Sequence, residues 1–132
     1  EICEMAEESG LSFWQVIQRD DCTERQVEPS ESFEQMRKMY LAMKHADEMY
    51  TGTRKSNSGM VGGDGKRVET YVAEGKAMSG PFIGKVMERA IKMGESNACM
   101  RRIVADPTAG SCGVLPAVLL TYADQIIDDK KK

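Results

Sequence analysis

The chain has 132 residues, of which 41% are hydrophobic and 30% charged, and its net charge is −3. That is enough chain for one domain with a real core, and it excludes both a disordered polymer and a membrane protein, since no apolar run nears the ~18 residues of a span. The charge is mild, and no basic stripe carries interleaved aromatics, which excludes a nucleic-acid partner. The first residue is Glu1 rather than Met, so a trimmed N-terminus is expected.

Hydrophobic periodicity reads as helix almost throughout. Short helices are expected over 2–9 and 12–25. Pro29 and Ser30 announce a longer one over 31–50, where Phe33, Met36, Tyr40 and Met43 recur at three and four residues and share a face. A polar loop runs from Thr51 to Arg67 and leads into a short helix at 67–74. After Ser79-Gly80, Pro81 suits a first turn because its missing N–H would be unpaired there anyway. Phe82, Ile83, Val86, Met87, Ala90 and Ile91 form the stripe of that helix, and Gly94 is expected to end it. Arg102-Ile103-Val104-Ala105 is the best strand candidate and is too short to anchor a sheet. A second loop, Asp106 to Gly113, opens a last helix over 114–127, with Val114, Val118, Tyr122 and Ile126 in line and Pro116 in its first turn. Lys130 to Lys132 read as a solvated tail. The expected fold class is all-α, one compact helical domain with two functional loops. Ten methionines suit an ordinary, adaptable core.

The four cysteines, Cys3, Cys22, Cys99 and Cys112, form no Cys-x-x-Cys pair, and His45 is the single histidine. Zinc-finger spacing and a Ser/His/Asp arrangement are therefore absent. Reduced thiols and a cytoplasmic home are expected. Cys112 stands at the start of a predicted helix, where unpaired N–H groups and the helix dipole favour the thiolate that ligates metals. Gly110 and Gly113 let a bulky group come close, and Thr108 and Ser111 offer hydroxyls. A capped turn around a buried structural cysteine reads the same residues equally simply. In the long loop, Gly62-Gly63-Asp64-Gly65-Lys66-Arg67 combines free N–H groups with two cations and could hold a carboxylate. It is neither a P-loop nor a dinucleotide fingerprint. A mobile, solvated loop is the plain alternative.

Three stretches stand in order: Ser58-Gly-Met-Val-Gly-Gly-Asp64, then Ser79-Gly-Pro81, then Asn97-Ala98 with Arg102-Ile-Val104, Pro107-Thr-Ala-Gly-Ser-Cys-Gly113 and Leu115-Pro116. Together they resemble the α chain of the iron–sulfur-dependent L-serine dehydratases, over roughly residues 50–125. The resemblance implies that the chain is the N-terminal part of a larger helical catalytic domain. It implies a [4Fe-4S] cluster, with Cys112 matching one ligand position and the other ligands outside this chain, and no pyridoxal phosphate. The open iron would act as a Lewis acid on the serine hydroxyl, and a base that the sequence does not identify would take the α-proton. Loss of water and hydrolysis would then give pyruvate and ammonia. Ser58, Gly62, Gly63, Asp64 and Lys66 in the first loop, with Thr108, Gly110 and Ser111 in the second, are the expected substrate-binding residues.

The partners so implied are L-serine, the β chain and the remainder of the α chain, with a homo-oligomer left open. The fragment alone is expected to be inactive, and the intact enzyme to serve amino-acid degradation and gluconeogenesis. Asp106 stands where the family more often has a small residue, which would put a carboxylate beside the cluster. Two other readings remain: an L-cysteine desulfidase-like lyase, and a non-enzymatic helical module that binds a carboxylate.

Overall fold

The computed structural model describes residues 2–105, 108 and 110–127. Asp106, Pro107 and Lys130 to Lys132 lie outside the described residues. The chain is all-α: α1 (Ile2–Ser9), α2 (Phe13–Arg25), α3 (Pro29–Glu48), α4 (Asp64–Ala73), α5 (Gly80–Ala98) and α6 (Ser111–Tyr122), then a π turn over Ala123–Ile127. No strand occurs among the described residues, and Arg102 to Ala105 are irregular. No described helix is long and apolar enough to cross a membrane.

The chain divides into two compact units, residues 1–39 and 40–132. In the first, α1 packs on α2. Ser12 starts α2, its N–H donating to Gln15 Oε1 at 2.9 Å in the reach-back half of a capping box. The helix stops at Gln26, whose φ of 55° breaks the right-handed run. Pro29 opens α3, where its missing N–H costs nothing. Polar contacts hold α2 to the start of α3: Ser32 Oγ donates to Asp21 Oδ2 at 2.7 Å, and Gln18 Nε2 to the Pro29 carbonyl at 3.1 Å. The Ser32 bond, foremost, keeps the Asp21 carboxyl below its usual range.

In the second unit α5 is the hub, packed against both α4 and α6. Met43, Ala46, Met93, Ala117 and Leu120 are buried apolar residues of this unit. Each large apolar side chain removed from water contributes roughly 1.5–3 kcal/mol. Glu88 is also buried, at 1% exposure, and accepts from Lys85 Nζ at 2.8 Å and Lys92 Nζ at 2.6 Å. A buried carboxylate is tolerable only when paired in this way. On the α6 side, Arg89 donates to Asp47 Oδ2 and to Thr121 Oγ1, each at 3.2 Å, and pairs with Asp124.

Several boundaries and faces differ from the sequence reading. Gly94 does not end α5. The helix runs on to Ala98 and closes at Met100, whose φ is 57°, with Arg101 N–H donating to Ser96 O and Met100 N–H to Asn97 O. A helical glycine costs only about 1 kcal/mol, and Glu95 and Ser96 beyond it are buried. The last helix begins at Ser111, not Val114, so Pro116 is its sixth residue and lies past the first turn. The expected stripes are also displaced. Val114, Val118 and Tyr122 are exposed, while Cys112, Pro116, Ala117, Leu120 and Thr121 are buried. Ile83, Met87, Phe33 and Met36 are exposed as well. Helix α6 is apolar nearly all round, so periodicity could not choose its face.

Candidate functional site

The long loop closes on itself from base to tip. At the tip, Ser56 N–H donates to the Val61 carbonyl at 2.8 Å, Gly59 N–H to the Ser56 carbonyl at 2.8 Å, and Ser56 Oγ meets Ser58 Oγ at 3.1 Å. Halfway down, Gly62 (φ +140°) lies so close to the other limb that a Cβ would stand 2.2 Å from the Arg54 carbonyl oxygen. At the base, Gly52 abuts Lys66. Gly62 and Gly63 both carry positive φ, and only glycine takes such a path without strain. The turn they make starts α4 at Asp64, three residues before the expected start.

The first N–H groups of α4 are met by Glu95, which α5 presents at 6% exposure. Asp64 N–H donates to Glu95 Oε1 at 2.6 Å, and Tyr50 OH donates to Glu95 Oε2 at 2.6 Å. Burial by itself would raise the Glu95 pKa. The bonds from Tyr50 and from the Asp64, Gly65 and Gly63 amides outweigh it, and the carboxyl is held below its usual value. Burial, and then the Glu95 carboxylate, push the Tyr50 phenol up. Gly65 makes room for this arrangement, since a Cβ there would meet Lys92 Cγ at 2.7 Å and Tyr50 OH at 2.8 Å. Lys92 Nζ lies 5.3 Å from the Tyr50 ring centroid and 3.4 Å from Glu69 Oε1. Lys66 pairs with Glu69, and that bond is the leading cause that lowers the Glu69 pKa. Beside Tyr50 and Glu95 is a recess of about 10 Å³ bordered by Arg54, Cys99 and Arg101, room for about one water.

The second loop delivers Cys112 as the second residue of α6, at 5% exposure. Ser111 Oγ donates to the Thr108 carbonyl at 2.6 Å, and Gly110 precedes the helix. Pro116 has no N–H to give the Cys112 carbonyl four residues back, so the usual helical bond cannot form there. Gly113 rests on α5, where a Cβ would stand 3.2 Å from the Ala90 carbonyl. Gly65 and Gly113 thus touch α5 at residues 92 and 90, which point about 200° apart around a helix. The loops reach the same level of α5 from opposite flanks.

A family model described as "Serine dehydratase alpha chain" matches residues 8–131. The chain belongs to the serine dehydratase alpha chain family. It is 32% identical over 128 residues to a protein of Bacillus subtilis (strain 168) named "Probable L-serine dehydratase, alpha chain", covering 96% of this chain and 42% of that protein. It is 28% identical over 131 residues to "L-serine dehydratase, alpha chain" of Peptoniphilus asaccharolyticus, covering 98% of this chain and 45% of that one. The chain therefore spans less than half the length of these curated relatives. No solved structure matches it.

Within this serine dehydratase alpha chain fold, Cys112 offers one buried thiol of the right donor chemistry for an iron–sulfur cluster. Cys3 is exposed, and Cys22 and Cys99 are half-buried. Among the described residues no three His, Cys, Asp or Glu side chains gather to hold a metal ion. The described part of the chain thus fits such a cluster as one ligand and not as its whole cage. Sequence reasoning missed Tyr50, Glu95 and Lys92. Periodicity gives no sign that a glutamate just past Gly94 would turn inward, and Tyr50 sits at the very end of the predicted helix.

Proposed function

We propose that this chain supplies substrate-gripping loops and one cluster ligand to an enzyme that eliminates water from L-serine, giving pyruvate and ammonia. Membership of the serine dehydratase alpha chain family carries this reading, and the buried Cys112 at the head of α6 supports the ligand role. Ser58, Gly62, Gly63, Asp64 and Lys66 form the loop that surrounds the substrate carboxylate. Thr108, Gly110 and Ser111 stand beside Cys112 on the other flank of α5, and in the assembled enzyme they would border the reacting end. When bound, a [4Fe-4S] cluster would supply Lewis acidity to the departing hydroxyl. Cys112 gives one thiolate, and the other ligands come from outside this chain, as does the β chain.

The chain's own contribution is positioning and exclusion of water. Ser58 Oγ is held at the loop tip by Ser56, in place to donate to a carboxylate. Cys112 is closed off from solvent, which keeps the surroundings of its sulfur dry. The test is anaerobic pyruvate formation from L-serine by the full-length protein with its β chain, with iron content measured beside it. Cys112→Ala should lose iron and activity together. Retention of both would remove Cys112 from the cluster, and turnover of L-cysteine in place of L-serine would replace the dehydratase with a desulfidase.

A further inference from the structure

We infer that Glu95 is the positioning residue of the glycine-rich loop: one buried carboxylate on α5 staples both ends of the loop and occupies the α4 amides. It rests on the proposed role of this loop in binding substrate. The entering limb is held through Tyr50 OH on Oε2 and the leaving limb through Asp64 N–H on Oε1, both at 2.6 Å. The limbs of the loop are zipped together at Arg54 with Gly62 and at Ser56 with Val61, and its base is closed where Gly52 meets Lys66 of α4. A loop built this way moves as one body, and its placement is set at its base.

The Glu95 carboxylate also decides where a substrate carboxylate can go. The helix N-terminus is the obvious anion site of this loop, but a carboxylate of the chain already fills it at 6% exposure. A substrate carboxylate brought to the same amides would meet the Glu95 charge at close range in a site that solvent barely screens. Gly62, Gly63 and Asp64 therefore serve the substrate through the path they give the chain. Direct contact falls to the tip, with Ser58 as its hydroxyl.

Glu95→Gln keeps the volume and one acceptor oxygen but removes the charge, and Tyr50→Phe cuts the other limb loose should the first variant fail to fold. In the full-length protein, amide exchange at Gly63, Asp64 and Gly65 should quicken by about tenfold or more in Glu95→Gln, the scale of a lost charge-assisted hydrogen bond. KM for L-serine should rise by about the same factor while kcat moves much less, as expected when substrate grip rather than chemistry is lost. Unchanged amide exchange in both variants would overturn the staple. Faster exchange with KM unmoved would overturn the positioning role and leave Glu95 as a fold residue. If the wild type makes no pyruvate from L-serine, the proposed function fails, and the exchange measurement still decides whether Glu95 holds the loop.

Discussion

The helices α4 and α6 begin in opposite ways on either flank of α5. Helix α4 starts with its amides paired to a buried carboxylate of its own chain, and its glycines exist to let that happen. Helix α6 starts with a buried thiol, and four residues further on a proline denies the Cys112 carbonyl its usual bond. One start is a finished electrostatic unit. The other places a soft donor at a helix that gives up part of its own bonding. A helix start is thus not in itself an anion site; what fills it has to be read from the packing.

The sharpest way to break the α4 side is Gly62→Ala. The added Cβ would stand 2.2 Å from the Arg54 carbonyl oxygen and 3.0 Å from Lys55 Cα, with φ at +140°. Backbone cannot yield as a flexible side chain does, so the limbs must part. A loss of about 3 kcal/mol is expected from strain and clash together. Urea unfolding of the chain would show it; an unchanged midpoint would mean that the two limbs are not in contact.

Next in size is Glu95→Ala, which leaves Tyr50 OH and Asp64 N–H without their acceptor and should cost about 2–3 kcal/mol. Glu95→Gln sharpens the point through pH. The folded-state pKa of Glu95 lies below its usual 4.5. Its contribution is therefore present in full above the unfolded carboxylate range and is lost as pH falls through the lower folded value. Stability of the wild type should drop across that acid window, and the Gln variant should drop less steeply there. Parallel curves would show that Glu95 is not charged in the folded chain.

These residues mark where the sequence was legible and where it was not. The helices were, because three- and four-residue spacing survives any packing arrangement. The first loop was too, since Gly62-Gly63 interrupt that spacing, whereas Ser111 to Gly113, read as loop, already belong to α6. The buried faces were not. Val114, Val118 and Tyr122 form as good a stripe as the residues that pack, and small residues such as Ala117 and Gly113 decided the contact by letting α6 approach α5. Nor was Glu95 legible, because nothing local distinguishes a glutamate that turns inward from one in water.

The α6 side is tested by Pro116→Ala. The substitution restores an N–H for the Cys112 carbonyl and relieves the ring, worth about 3 kcal/mol in an ordinary helix interior. Pro116 is fully buried, however, and the cavity left by its ring takes back about 1–2 kcal/mol. A net gain of about 1 kcal/mol is expected in thermal unfolding. A loss instead would mean that the helix is bent to suit its packing and that the bend itself holds Cys112 in place.

The smallest effect comes from Gly94→Ala on α5, the helix both starts share. Gly94 is exposed inside the helix, and a Cβ there meets nothing within 4 Å. Alanine should therefore return the helical cost of glycine, about 0.5–1 kcal/mol, with no clash to offset it. The gain would be read as a rise in the unfolding midpoint. It also bears on Glu95, one residue further on: a stiffer backbone there should slow amide exchange at Asp64 as well as within α5. If stability rises while Asp64 exchange stays the same, the staple at α4 does not feel the helix that carries it. If stability falls, the chain needs glycine at 94 to let α5 bend, and the end of α5 is where the two flanks are coupled.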